Sequence, residues 1–299
     1  MDKKQARQGT TDVSLLKKIQ SRQLQVRLNR RWNARVAMGS AVGIAVWLLS
    51  FVSGLAKAET RGPVNGTLVV VGGGSIEIEN IFRRFIELAG GVDANIVMVP
   101  TAASSGDEYD YKNHEHVRLA RDTFGLKNVT VVHTHDRRMA EADEFVRAIR
   151  TADAVWFTSG RSWRLADAYL GTLAEREFKA VLNRGGVIGG SASIQGSFLV
   201  RGDAKEGGVL IGDHQHGFGL ISNCAIDDQV IARSRQSGLC RVLADSETRM
   251  NKEFDRKSLL GLGIDEDTAI VVHGSELEVI GKPNRSEEHT SELQSHLNL

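Results

Sequence analysis

The chain has 299 residues, 41% of them hydrophobic, with 38 Lys and Arg against 37 Asp and Glu for a formal net charge of +1. That is enough for one large domain with a full core. Two cysteines, Cys224 and Cys240, exclude a disulfide scaffold and are expected to be free and buried. The charge is unevenly spread: residues 1–35 hold ten Lys and Arg and two Asp, about +8, which leaves about −7 for the remainder.

In chain order, the first element is this basic tail, residues 1–35. Its stretch 13–32 is compatible with a basic amphipathic helix on a lipid surface, and an upstream misassigned start codon is an equally simple account. Val36 to Leu55 follows, about twenty residues without a charge, and then Ala56-Lys57-Ala58. A positive flank, an apolar stretch and a small-residue cleavage site predict an export signal over residues 36–58, or a membrane anchor if it is not cleaved. The protein is expected to be exported, periplasmic or extracellular, with the basic tail on the cytoplasmic side if it is tethered.

From Thr67 the pattern alternates. Thr67–Val71 reads as a buried strand ending in Gly72-Gly73-Gly74, and Ile76–Ala89 has helical spacing with a stop at Gly90-Gly91. Strands are predicted at Ile96–Val99, Val129–Val132, Ala154–Phe157 and Val187–Gly189. Helices are predicted at His114–Phe124, Met139–Arg150 and, as one long element, Trp163–Asn183. Continuous apolar strands alternating with amphipathic helices predict an α/β fold, a three-layer sandwich with a mainly parallel sheet covered on both faces. Ligands in such folds sit at the carboxyl ends of the strands, here Gly72–Gly74, Thr101–Ser105, Thr158–Arg161 and the turn after Gly189.

That last turn carries the most information. Gly189-Gly190-Ser191-Ala192-Ser193 is a small-x-Ser-x-small pattern between a strand end and a stretch that can start a helix. Small neighbours are what a sharp strand-to-helix turn needs to expose a nucleophilic serine, and helix N–H groups behind it would stabilise an oxyanion. An ordinary glycine-rich turn fits the same letters. The glycines at 72–74 invite a dinucleotide reading, but Glu77 stands where the fingerprint wants its last glycine and would repel a pyrophosphate. His133 with His135, and His214 with His216, lack a third clustered ligand, so no metal or other cofactor is expected.

Five segments taken together, Val69–Gly74, Val155–Leu165, Gly185–Gly202, Gly217–Arg235 and Gly261–Val272, resemble the cyanophycinase and dipeptidase E-like serine peptidases of the class I glutamine amidotransferase-like fold. The resemblance spans roughly residues 66 to 281. It implies a serine exopeptidase acting on aspartyl peptides or on β-linked aspartate–arginine polymer, within a domain of residues 59–284. It implies Ser191 as the candidate nucleophile, in an elbow that reads about three residues short. The family histidine falls on Gln229, which cannot act as a base at neutral pH. Glu206 falls where the family tends to carry a triad acid. Arg233 and Arg235 match arginines that hold acidic substrate, Asp227 matches a site position that would orient them, and Ser162 replaces a pocket glutamine. Gly73 and Gly74 belong to the binding loop. Asp265, Glu266 and Asp267 match a run near the site, or else form a solvated turn. His214 and His216 are the candidates for a relocated base. Either a degraded exopeptidase or an inactive relative that still binds acidic peptides satisfies this pattern; the partner expected is a peptide, not nucleic acid, and a homodimer stays open.

Residues 285–296 resemble the translation of a sequencing-library adapter, so Arg285–Leu299 is set aside from the fold and the native C-terminus is expected to be missing.

Overall fold

The computed structural model describes residues 62–73, 79–103, 110–199, 201–202, 209–210, 216–235, 238–240, 243 and 260–281, together with the backbone of Trp47–Leu49. The basic tail, the rest of the apolar stretch and residues 285–299 lie outside them, as do Gly74, Glu206 and His214. Among the described residues no helix is long and apolar enough to cross a membrane.

The elements are β1 (Trp47–Leu49), β2 (Thr67–Val71), α1 (Glu79–Leu88), β3 (Asn95–Val99), α2 (Glu115–Asp122), β4 (Asn128–Val131), α3 (Asp143–Arg150), β5 (Ala154–Phe157), α4 (Ser162–Tyr169), α5 (Leu173–Asn183) and β6 (Val187–Ser191). After them come β7 (Phe198–Leu199), β8 (Arg201–Gly202), β9 (Val209–Leu210), β10 (Cys224–Asp228), β11 (Leu260–Ile264), β12 (Thr268–His273) and β13 (Glu276–Gly281). The main sheet has the order β13-β12-β2-β6-β5-β3-β4. Its strands β2, β6, β5, β3 and β4 run parallel, while β12 and β13 add antiparallel strands at one side. A second sheet has the order β1-β11-β10-β7, in which β1 pairs antiparallel with β11.

The uninterrupted apolar runs arise because both faces of the parallel strands are covered. Leu68 and Val70 of β2, Val97 and Val99 of β3, and Val155 and Phe157 of β5 point into one core, with α3, α4 and α5. Val69, Ile96, Met98 and Trp156 point into the other, with α1 and α2. Each strand therefore serves two cores with alternate residues. Phe82, Phe85, Phe124 and Trp156 build an aromatic cluster in the second core, the Phe82 and Trp156 rings meeting edge-on at 4.8 Å between centroids.

Two expected helices are shorter than their apolar periodicity suggested. The run 163–183 is broken: Leu170 turns to extended backbone (ψ 127°), and Thr172 caps α5 by accepting from the Glu175 amide while Glu175 itself accepts from the Gly171 amide at 2.6 Å. Thr172-x-x-Glu175 is a capping-box pattern, a start signal lying inside what periodicity alone joins. The run 139–150 likewise divides into a 3-10 turn at Met139–Glu141 and α3, because Ala142 is extended (ψ 134°). Cys224 is buried and Cys240 half-buried, both as free thiols.

Candidate active site

Parallel register brings strand ends together. Ser191, the last residue of β6, lies beside Val71 of β2, and Gly190 lies beside Phe157 of β5. The cleft above these ends has a volume of about 360 Å³ and is lined by residues including Gly73, Ser159, Ser191, Asp228, Gln229 and Arg233. Of the strand-end loops that the sequence nominates, those after β2, β5 and β6 line it.

The turn at Ser191 differs from the expected elbow. The positive φ falls on Gly190 (φ 107°), not on the serine, and a Cβ at 190 would collide with the backbone oxygen of Phe157. This is a conformation glycine alone adopts without strain. Beyond Ser191 the chain makes a 3-10 turn at Ser193–Gln195 instead of an α-helix. Gln195 is fully buried and closes this turn: its Nε2 donates to the backbone oxygens of Gly190 (3.0 Å) and Ser191 (3.1 Å). The Oγ of Ser191 is 3.2 Å from the Oγ of Ser162, in the first turn of α4, which makes Ser162 a hydrogen-bond partner of the serine itself.

The turn after β10 delivers the polar side of the cleft. Gln229 has φ 56°, and its amide N–H is shared between the backbone oxygens of Gly72 and Ile264. Its side chain packs under Gly73, where a Cβ would come within 2.8 Å of the Gln229 Cγ. Its Nε2 donates to Oε1 of Glu266 at 2.5 Å, and Asp265 Oδ1 accepts from the Ala232 amide at 3.1 Å. Two of the three carboxylates at 265–267 thus hold the turn that carries Gln229 and Arg233.

The two arginines separate. Arg233 is exposed and lines the cleft. Arg235 does not: it is only 3% exposed, its Nη2 lies 3.1 Å from Oδ1 of Asp227, and it donates to the main-chain oxygen and the carboxylate of Asp228. Two acidic neighbours and the surrounding core turn this guanidinium inward, so its role is to brace the end of β10. Asp227 is wholly buried, and the loss of hydration, only partly offset by Arg235, pushes its carboxyl up to about 7. The Asp227–Arg235 contact is close but not directed as a hydrogen bond.

One histidine that no sequence motif marks also lines the cleft. His116, in the first turn of α2, is 9% exposed, and burial holds its imidazole down at about 4. The signal available was His114-Glu115-His116 at a helix start: His114 caps α2, accepting from the His116 amide at 3.0 Å. His216 is exposed and is not among the residues lining the cleft. His133 is held elsewhere, 2.8 Å from Thr101 Oγ1 and stacked on Tyr111.

The model of Peptidase family S51 matches residues 68–280, which runs from the second residue of β2 to past the end of β12 and includes all of the cleft residues just described. The chain belongs to peptidase family S51. This S51 family member is similar to a cyanophycinase of Geminocystis herdmanii, with 28% identity over 232 residues, 73% of this chain and 79% of that protein. It is also similar to a cyanophycinase of Synechococcus elongatus, with 24% identity over 226 residues, 73% of this chain and 66% of that protein. A crystal structure of a peptidase from an acI-B1 Actinobacterium aligns with a TM-score of 0.55 at 21% identity, over 74% of this chain and 90% of that one. At that identity the likeness establishes the α/β fold, and the fold expected from the sequence is the one found.

Proposed function

We propose that the S51 cleft of this chain binds aspartyl peptides, and that the chain is a cyanophycinase-like serine exopeptidase whose hydrolytic site is degraded. The single observation that carries this reading is the side chain of Gln229. An amide cannot take a proton from a serine hydroxyl at neutral pH, and this one is already committed as a donor to Glu266. Binding has more support than turnover: Arg233 offers an exposed guanidinium, whose planar fork suits a carboxylate. Ser191 supplies the hydroxyl for acyl transfer, but among the described residues its side-chain partner is another hydroxyl, that of Ser162, where a nucleophile needs a base.

A second reading, a wholly inactive relative that retains only peptide binding, is favoured by that same hydroxyl-to-hydroxyl contact. The two readings part in one experiment. Aspartyl dipeptides are incubated with the protein and with Ser191→Ala, and both hydrolysis and binding are measured. Slow hydrolysis that disappears in S191A supports the degraded enzyme; binding without any serine-dependent hydrolysis supports the inactive relative. No binding by either protein contradicts both.

We further propose that the body is exported, on the pattern of basic residues, apolar stretch and Ala56-Lys57-Ala58. Recovery of the full-length protein only in the cytoplasmic fraction of expressing cells would contradict this.

A further inference from the structure

The cleft has two kinds of wall. Arg233 and Gln229 come from the turn after β10, and Ser191 from β6. The rest of the lining includes Ile81 and Phe82 of α1, Trp156 of β5 and His116 of α2, from the side of the sheet where α1 and α2 pack. We propose that His116 is a specificity-determining residue, making this apolar wall a subsite for an uncharged side chain on a peptide whose carboxylate rests on Arg233. The proposal rests on the peptide-binding reading above and narrows its substrate class.

Several observations converge on it. Among the described residues His116 Nδ1 is buried without a hydrogen-bond partner, and so is the indole Nε1 of Trp156 in the same lining. Orphaned buried polar atoms are uncommon, and two in one cleft wall point to a ligand group that satisfies them. Burial keeps the His116 ring neutral at pH 7, so it neither attracts a carboxylate nor repels a cation by charge. A cationic side chain placed there would nevertheless be stripped of water without a counter-ion. Among the described lining residues the one carboxylate is Asp228, and it is already paired with Arg235 at 3.3 Å. Desolvating an unpaired charge is strongly unfavourable, whereas an aliphatic side chain gains by burial and an amide can bond the free indole and imidazole nitrogens. The wall therefore selects against an arginine side chain: a glutamine-like one answers the two orphaned nitrogens, and a leucine-like one gains by burial alone.

The test is calorimetric titration of the wild-type protein at pH 7 with the dipeptides Asp-Leu, Asp-Gln and Asp-Arg. Asp-Leu and Asp-Gln are expected to bind about ten-fold or more tightly than Asp-Arg, the scale on which polar and apolar pockets discriminate. His116→Glu, which places a carboxylate in the wall, is expected to narrow or reverse that ratio, and His116→Asn, which stays neutral, to preserve it. Equal binding of Asp-Arg and Asp-Leu by the wild type overturns the proposal while leaving peptide binding intact. A folded H116E with an unchanged ratio also overturns it. If H116E does not fold, the wild-type ratio still decides. Failure of all three dipeptides to bind would remove the peptide-binding reading itself, an outcome distinct from binding without preference.

Discussion

Nε2 of Gln229 and Oε1 of Glu266 are joined by a 2.5 Å hydrogen bond beside the cleft. The bond fixes which end of the amide is the donor, and it ties the turn after β10 to the loop between β11 and β12. Glu266→Ala is expected to release the turn at a cost of about 1 kcal/mol, the usual net worth of such a bond. Peptide affinity should fall with it, because Arg233 sits on the same turn. Denaturant unfolding together with peptide titration checks both.

Arg233 and Arg235 are two residues apart and should behave as opposites. Arg233→Ala is expected to leave the melting temperature nearly unchanged and to weaken binding of an aspartyl dipeptide about ten-fold, as loss of one charge-assisted contact does. Arg235→Ala removes the partner of a buried carboxylate and is expected to cost about 3–5 kcal/mol of stability. Urea unfolding of the two variants, with calorimetry on whichever remain folded, distinguishes a binding arginine from a structural one.

Asp227 gives stability a pH dependence of definite sign. Its carboxyl is raised from 3.8 to about 7 in the folded protein, chiefly by burial, so between these values the native state holds a proton that the unfolded chain has released. Its contribution is therefore fully present below about pH 4 and is lost as pH rises through about 7. Asp227→Asn should flatten this part of the profile. Unfolding free energies measured at pH 5 and pH 8 should fall with pH more steeply in the wild type than in D227N; parallel profiles would contradict the assignment.

Gln195 closes the turn on which Ser191 sits, donating to the backbone oxygens of Gly190 and Ser191 from a fully buried position. Gln195→Leu removes this donor from both oxygens and is expected to destabilise by about 1–3 kcal/mol. Amide exchange in residues 190–196 should accelerate before global unfolding in that variant.

Much of the architecture was legible in the letters. Strands such as Leu68–Val70 and Val97–Val99 are apolar on both faces because both faces are covered, and few arrangements besides a parallel sheet between two helical layers produce that pattern. The breaks at Leu170 and Ala142 were not legible from periodicity, since the apolar spacing on either side of a short break still looks helical; the Thr172–Glu175 box was the cue. The site divides in the same way. Ser191 and Arg233, which a small-residue turn and a family motif mark in the sequence, both line the cleft. Arg235 could not be told from Arg233 by sequence, because the difference lies in the buried Asp227 and in how the turn directs each guanidinium. His116 was hidden because its contribution is three-dimensional: helix α2 brings it to a cleft formed by strands far from it in sequence.

The most direct test of the central claim, that Gln229 cannot serve Ser191 as a base in a peptide-binding cleft, is the rate of labelling by a serine-directed fluorophosphonate in the wild type and in Gln229→His, with S191A as the blank. An imidazole at 229 should raise the rate at Ser191 by about 10²-fold or more, the range general-base assistance supplies. Rapid labelling of the wild type at Ser191, unchanged by Q229H, would contradict the account.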